Sequence, residues 1–82
     1  AAGTFALNCS YLGIPCVGYN DLDTQRLLHP HLSVDDGDME SARKIVNKLW
    51  NDLDFYKENC ILTKQLYKER YSEKVFRERF KL

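Results

Sequence analysis

The sequence predicts a layered α/β unit: short parallel strands with flanking helices, followed by a helical C-terminal half. Three observations predict it. Two short apolar stretches, residues 14–18 and 32–34, alternate with helical patterns over residues 4–12 and 21–28. From Asp38 onward the apolar residues recur at spacings of three and four, the period of an amphipathic helix. The charge divides at the same place. Residues 1–42 carry one base (Arg26) against six acids, and residues 43–82 carry eleven bases against six acids.

Composition narrows the function classes. The chain has 82 residues, 44% hydrophobic and 29% charged, the balance of a folded domain and not of a disordered tract. A unit of this size buries roughly 60–65% of the surface its unfolded chain exposes, so its own core gives it marginal stability. The net charge of zero excludes a whole-chain polycation for nucleic acid, and no nucleic-acid partner is expected. Three cysteines with no CxxC pattern give neither a disulfide framework nor a zinc site, so the expected setting is reducing and cytoplasmic. Residues 1–20 carry no charge, yet Asn8, Ser10, Gly13, Pro15, Gly18 and Asn20 interrupt them, which argues against a membrane span. No basic segment precedes them as in a signal peptide. Burial inside a protein remains as the explanation, and 82 residues have little room to cover such a segment on every side. The expectation is a piece of a larger domain: residues 1–37 as a helix–strand part and residues 38–82 as C-terminal helices.

Each element follows from local chemistry. Residues 4–12 form a helix, with Thr4 as N-cap and Gly13 at the C′ position that requires a positive φ. Phe5, Leu7, Tyr11 and Leu12 do not keep to one stripe, the mark of a buried helix. Residues 14–18 form a short strand, with Pro15 at its beginning or on an edge because it donates no ladder bond. Asp21 or Asp23 caps a helix of one to two turns that runs to Leu28 and is stopped by Pro30. Residues 32–34 form a second strand, and residues 35–38 a loop with a capping signal. Asp38 caps a helix whose stripe is Met39, Ala42, Ile45, Val46, Leu49 and Leu53, with Trp50 beside it. A further helix starts near Asp54 with Phe55, Tyr56, Asn59, Cys60, Thr63, Leu66 and Tyr67 inward. Ser72 caps a last helix with a seam of Val75, Phe76 and Phe80.

The segment that carries chemistry is residues 1–18. Gly3 and Thr4 open an uncharged helix, where free N–H groups and the helix dipole attract an anion such as a phosphate. Asn8, the one amide in that helix, lies a turn further on and reaches toward a hydroxyl of the same ligand. Taken alone, a glycine ahead of a helix reads first as a common start device. The run Ala-Gly-Thr-Phe-Ala-Leu-Asn-Cys-Ser-Tyr-Leu-Gly-Ile-Pro-Cys-Val resembles the donor-binding segment of nucleotide-sugar glycosyltransferases of the GT-B architecture, glycosyl transferases group 1. The family pattern reads glutamate, any residue, Phe, Gly, a hydrophobic residue, then glutamate-Ala-Met-Ala, any residue, Gly, any residue, Pro, Val, Ile. Gly3 matches the glycine, Leu7 the residue before the second glutamate, Gly13 and Pro15 the Gly-x-Pro, and Cys16-Val17 the strand. Leu32-Ser33-Val34 with Asp38, and Tyr71-Ser72, resemble later landmarks in the same order.

The resemblance implies a Rossmann-like GT-B C-terminal domain. Gly3 and Thr4 would meet the donor pyrophosphate and Asn8 the ribose. Asn8 stands where the family has a glutamate, so it brings a hydrogen bond and no charge. The parent would transfer a sugar from a nucleotide-sugar donor to an acceptor the sequence does not name. Catalytic groups would lie on an N-terminal partner domain, and this piece alone would be inactive. Residues 18–20, just past the strand, would face the same cleft.

Other candidates read more simply. His29 and His31 lack a third metal ligand at a recognisable spacing and read as loop residues. Asp35, Asp36 and Asp38 read as a solvated turn with a cap, and Asp21 and Asp23 as caps. Cys9, Cys16 and Cys60 read as small buried apolar residues. No metal site or cofactor is expected. The basic and aromatic stripe through Lys64, Lys68, Arg70, Lys74, Arg77, Arg79 and Lys81 is diluted by Glu69, Glu73 and Glu78. On residue types it suits a membrane surface, with nothing else in the sequence in support. The alternative function is a non-enzymatic helical interaction module packed through Leu49, Trp50, Phe55 and Leu66, with Phe76 and Phe80 toward a partner. The two readings differ at the uncharged first helix, which such a module covers itself and a piece of a larger domain leaves partly open.

Overall fold

The computed structural model describes residues 3–71. The order is α1 (Thr4–Leu12), β1 (Gly18–Tyr19), α2 (Asp23–Leu28), a 3₁₀ turn (Pro30–Leu32), β2 (Ser33–Val34), α3 (Met39–Asn51) and α4 (Leu53–Arg70). The two strands are parallel, with Gly18 opposite Ser33 and Tyr19 opposite Val34. The unit is mixed α/β and mostly helical. The expected helix from Ser72, with Val75, Phe76 and Phe80, lies outside the described residues.

α1 starts one residue earlier than Thr4 suggests. Gly3 occupies the N-cap, its carbonyl accepts the Leu7 amide at 3.2 Å, and Thr4 is the first helical residue. Gly13 closes α1 at φ 72°, a left-handed conformation costly for any residue with a Cβ. From there the Gly13 N–H donates to the Ser10 carbonyl and the Ile14 N–H to the Cys9 carbonyl, the paired bonds of a Schellman end.

The first strand is shorter and later than expected. Residues 14–17 are irregular, and pairing begins at Gly18. Gln25 on α2 explains part of this. Its Nε2 donates to the Cys16 carbonyl at 2.7 Å and to Ser33 Oγ at 3.1 Å, so a side chain satisfies the carbonyl that a ladder partner would otherwise take. The second strand also starts late, because Leu32 closes the 3₁₀ turn.

Capping of α2 is another correction. Its N-cap is Leu22, with no side-chain cap bond; Asp23 instead pairs with Arg26 at 2.7 Å across one exposed turn. α3 begins as expected, the Asp38 carboxylate accepting the Ser41 N–H at 3.1 Å. α4 begins at Leu53, capped by Asp52, whose Oδ1 accepts the Phe55 N–H at 3.0 Å.

The core sits under α1, α2 and β2. Ala6, Cys9, Cys16, Leu28, Leu32 and Val34 are buried, Leu28 and Leu32 completely. Five polar side chains are buried with them: Ser10, Gln25, His29, Asn59 and Thr63. Among the described residues none of their buried nitrogen or oxygen atoms lacks a partner. Ser10 Oγ donates to the Thr63 carbonyl at 2.6 Å and ties α1 to α4. His29 joins three elements. Its Nε2 lies 2.9 Å from the Ala6 carbonyl, which can only accept, so Nε2 carries the proton and Nδ1 accepts from Thr63 Oγ1 at 3.1 Å. The histidine read as a loop residue is therefore a core pin, 1% exposed.

α1 is not covered all round. Ala6, Cys9 and Ser10 face inward, while Phe5, Tyr11 and Leu12 are 71%, 60% and 61% exposed. α3 keeps its stripe but buries none of it fully, and Trp50 stands 88% exposed, which removes it from the packing set in which it was expected.

Candidate functional site

The parallel strands set the geometry of the site. β1 ends at Tyr19 and β2 at Val34, and the chain keeps them level beyond their ends: the Asn20 N–H donates to the Val34 carbonyl at 2.8 Å, and Asn20 Nδ2 approaches Asp35 Oδ1 at 3.4 Å. Helix starts gather at this carboxyl edge. α3 begins beside it at Asp38 and Ser41, which with Asn20, Ser33, Val34 and Asp35 line a cleft of about 260 Å³. α2 begins just after β1, and its second residue, Thr24, donates from Oγ1 to the Gly3 carbonyl at 2.9 Å. That bond brings the start of α1 against the start of α2. A Cβ on residue 3 would stand 2.8 Å from Thr24 Oγ1, so glycine is what permits the approach.

The start of α1 thus lies at the edge where open α/β sheets take their ligands. Its electrostatics differ from those of its neighbours. α2 has Asp23 in its first turn, α3 has Asp38 at its cap and Glu40 in its first turn, and α4 has Asp52 and Asp54. α1 has no acidic residue in its first turn, and no side chain caps it. Thr24 bonds to the carbonyl of Gly3 and leaves the first-turn amides free of that hydroxyl. Among the described α-helices, this is the one whose first turn carries no carboxylate to offset the positive end of its dipole.

Of the residues expected at the site, Gly3 is half-buried, and Thr4 and Asn8 are exposed. Thr4 and Asn8 are four apart on one helix and so share a face, one turn from each other. Gly3, Thr4 and Asn8 therefore form one open surface. Clefts of about 420, 260 and 290 Å³ elsewhere in the molecule are lined by other side chains. Of residues 18–20, only Asn20 lines the cleft at the strand ends; Gly18 and Tyr19 are the strand itself, and the Tyr19 hydroxyl reaches Met39 Sδ at 3.1 Å.

The remaining candidates are structural. Burial pushes the Cys16 thiol up to about 11, with neighbouring Cys9 adding to the shift, so it carries no thiolate near neutral pH. Burial lowers the His29 pKa, partly opposed by the bond to the Ala6 carbonyl, and the ring is neutral in its pocket. The Asp38 carboxyl lies below the usual range because the Ser41 backbone N–H and hydroxyl both donate to it. Among the described residues no three His, Cys, Asp or Glu groups come together as a metal site. His31 parts from His29 and lines a cleft of about 420 Å³ with Lys48, Phe55, Glu58, Asn59 and Leu62, where the Lys48 ammonium stands 4.2 Å over the Phe55 ring. Thr24 and Gln25, which brace the strand edge, were missed in the sequence. Nothing marks them there, since a threonine and a glutamine on a short helix look like surface residues.

No protein-family model, curated protein or solved structure matches the chain.

Proposed function

We propose that this chain is the donor-binding part of a nucleotide-sugar glycosyltransferase of the GT-B architecture, in which the start of α1 receives the donor diphosphate. One observation carries the reading: the α1 start is uncapped and free of acidic side chains, and it stands at the carboxyl edge of a parallel strand pair with Thr4 and Asn8 exposed on one face. Backbone N–H groups of a helix start stabilise negative charge on a departing diphosphate without reorganising. Asn8, one turn on, offers an amide to the ribose hydroxyls. The open apolar Phe5 of α1, 71% exposed, supports a place beside further layers of a larger domain, with the catalytic groups on an N-terminal partner domain.

The test is titration of UDP and GDP into the protein, read from backbone amide shifts and from calorimetry. Shifts centred on Thr4, Phe5 and Ala6 are the expected result. Asn8→Ala should weaken binding by about 2- to 10-fold, the worth of one hydrogen bond. Unmoved first-turn amides at saturating nucleotide would overturn the donor reading.

A second reading has its own observation. Trp50, with Val46 and Leu53, offers exposed apolar surface of the kind a non-enzymatic interaction module presents. A protein that ignores both nucleotides yet retains a partner through Trp50 would favour it.

A further inference from the structure

α4 has one face that its packing leaves open. Leu53, Lys57, Ile61, Lys64 and Lys68 are spaced four, four, three and four, which places them on a single helix face, and all five are exposed. Leu53 and Ile61 are 64% and 69% exposed. The end of α1 adjoins this face: a Cβ on Gly13 would stand 3.4 Å from Lys64 Cδ. Just before Gly13, Tyr11 and Leu12 are 60% and 61% exposed, with the Tyr11 ring set edge-on to Tyr67 at 5.3 Å. Ile61, Lys64, Gln65 and Lys68 line a shallow cleft of about 290 Å³ between the cations. Two acids adjoin the face, Asp54 in the first turn and Glu69, whose Oε1 accepts from Gln65 Nε2 at 3.3 Å, while Glu58 lies further round the helix.

We propose that this face docks the protein onto an anionic lipid bilayer. The observation is the interleaving of three lysines with open Leu12, Tyr11, Leu53 and Ile61. Apolar side chains enter the headgroup boundary while lysine stems lie along them and carry the ammonium groups to phosphate level. An acidic protein partner would use the cations and leave the apolar residues idle. A whole chain of zero net charge has no bulk attraction to an anionic surface, so binding must come from a local face. The inference is independent of the donor-binding reading.

The experiment is co-sedimentation of the protein with phosphatidylcholine vesicles and with vesicles that also contain phosphatidylserine. Binding to the anionic vesicles only, lost at high salt, is expected. Each lysine near the surface contributes about fivefold, so Lys64→Gln with Lys68→Gln should lower partitioning ~30-fold. Ile61→Ser with Leu12→Ser should lower it as well, at unchanged far-UV circular dichroism. Arg43→Gln with Lys44→Gln, on α3, should leave it unchanged. Equal binding to both vesicles, no binding to either, or equal loss from the α3 pair would overturn the proposal. So would capture by poly-glutamate without any vesicle binding, which would assign the face to an acidic protein, or self-association abolished by Ile61→Ser, which would assign it to a second copy.

Discussion

The segment from α1 to β2 and the pair α3–α4 hold the fold in different ways. The first supplies every buried apolar residue of the described core, although α1 shows no clean apolar stripe. The second has in α3 the clearest helical period of the chain, yet α3 buries none of its residues fully and α4 buries only Asn59 and Thr63. Amphipathic pattern and burial are therefore separate properties. Pattern states which face of a helix can be covered; burial depends on what else packs there. The first region is also joined within itself by polar bonds through Gln25 and His29, and Ser10 and His29 tie it to Thr63 of α4, so its packing depends on a few positions that must all be right.

Substitutions can break or sharpen this contrast. The largest effect is expected in the first region: Leu28→Ala should cost about 2–5 kcal/mol in denaturant unfolding, enough to unfold a unit of this size, because it empties a fully enclosed site. Ile45→Ala, on the half-buried stripe of α3, should cost distinctly less in the same assay. Similar losses at the two positions would erase the distinction.

Gln25→Ala comes next, at about 1–3 kcal/mol, because the Cys16 carbonyl loses its donor and Ser33 loses a partner. Amide exchange at Gly18 and Tyr19 should accelerate with it.

His29 makes the stability of the first region depend on pH. Its pKa is lowered in the folded state, so the unfolded chain binds the proton more readily. Its contribution is complete above the ordinary histidine pKa of about 6.5 and is lost as pH falls from there through the lowered folded value. Thermal unfolding measured from pH 8 to 5 should show this decline, and His29→Gln should flatten it. A midpoint that rises as pH falls would contradict the neutral, buried ring.

The smallest effect belongs to the second region. Trp50→Ala should change stability by less than about 0.5 kcal/mol, since the indole is almost wholly in solvent. A large loss would mean that α3 is packed more tightly than its exposure indicates.

Much of the fold was legible in the residues. Gly13 marked the end of α1, Asp38 the start of α3, and Pro30 the stop of α2, because each acts through its own backbone or its nearest amides. The strands were less legible. Residues 14–17 have the apolar character of a strand, but Gln25 takes the Cys16 carbonyl, a bond from a different element. His29 looked like a loop residue because neither the Ala6 carbonyl nor Thr63, 23 and 34 positions away, is visible from its neighbours. At the candidate site, Gly3, Thr4 and Asn8 could be named from residue types, whereas the contact from Thr24 that turns their helix to the strand edge could not.

The sequence by itself determined the end of α1, the stop of α2 and the start of α3, since such caps and stop residues work within a few positions of the chain. Tertiary structure alone decided which faces are covered, where the strands pair, and that a histidine, a glutamine and a threonine belong to the interior. Those outcomes depend on groups distant in the chain meeting at hydrogen-bond distance, and no local pattern records which of them will meet.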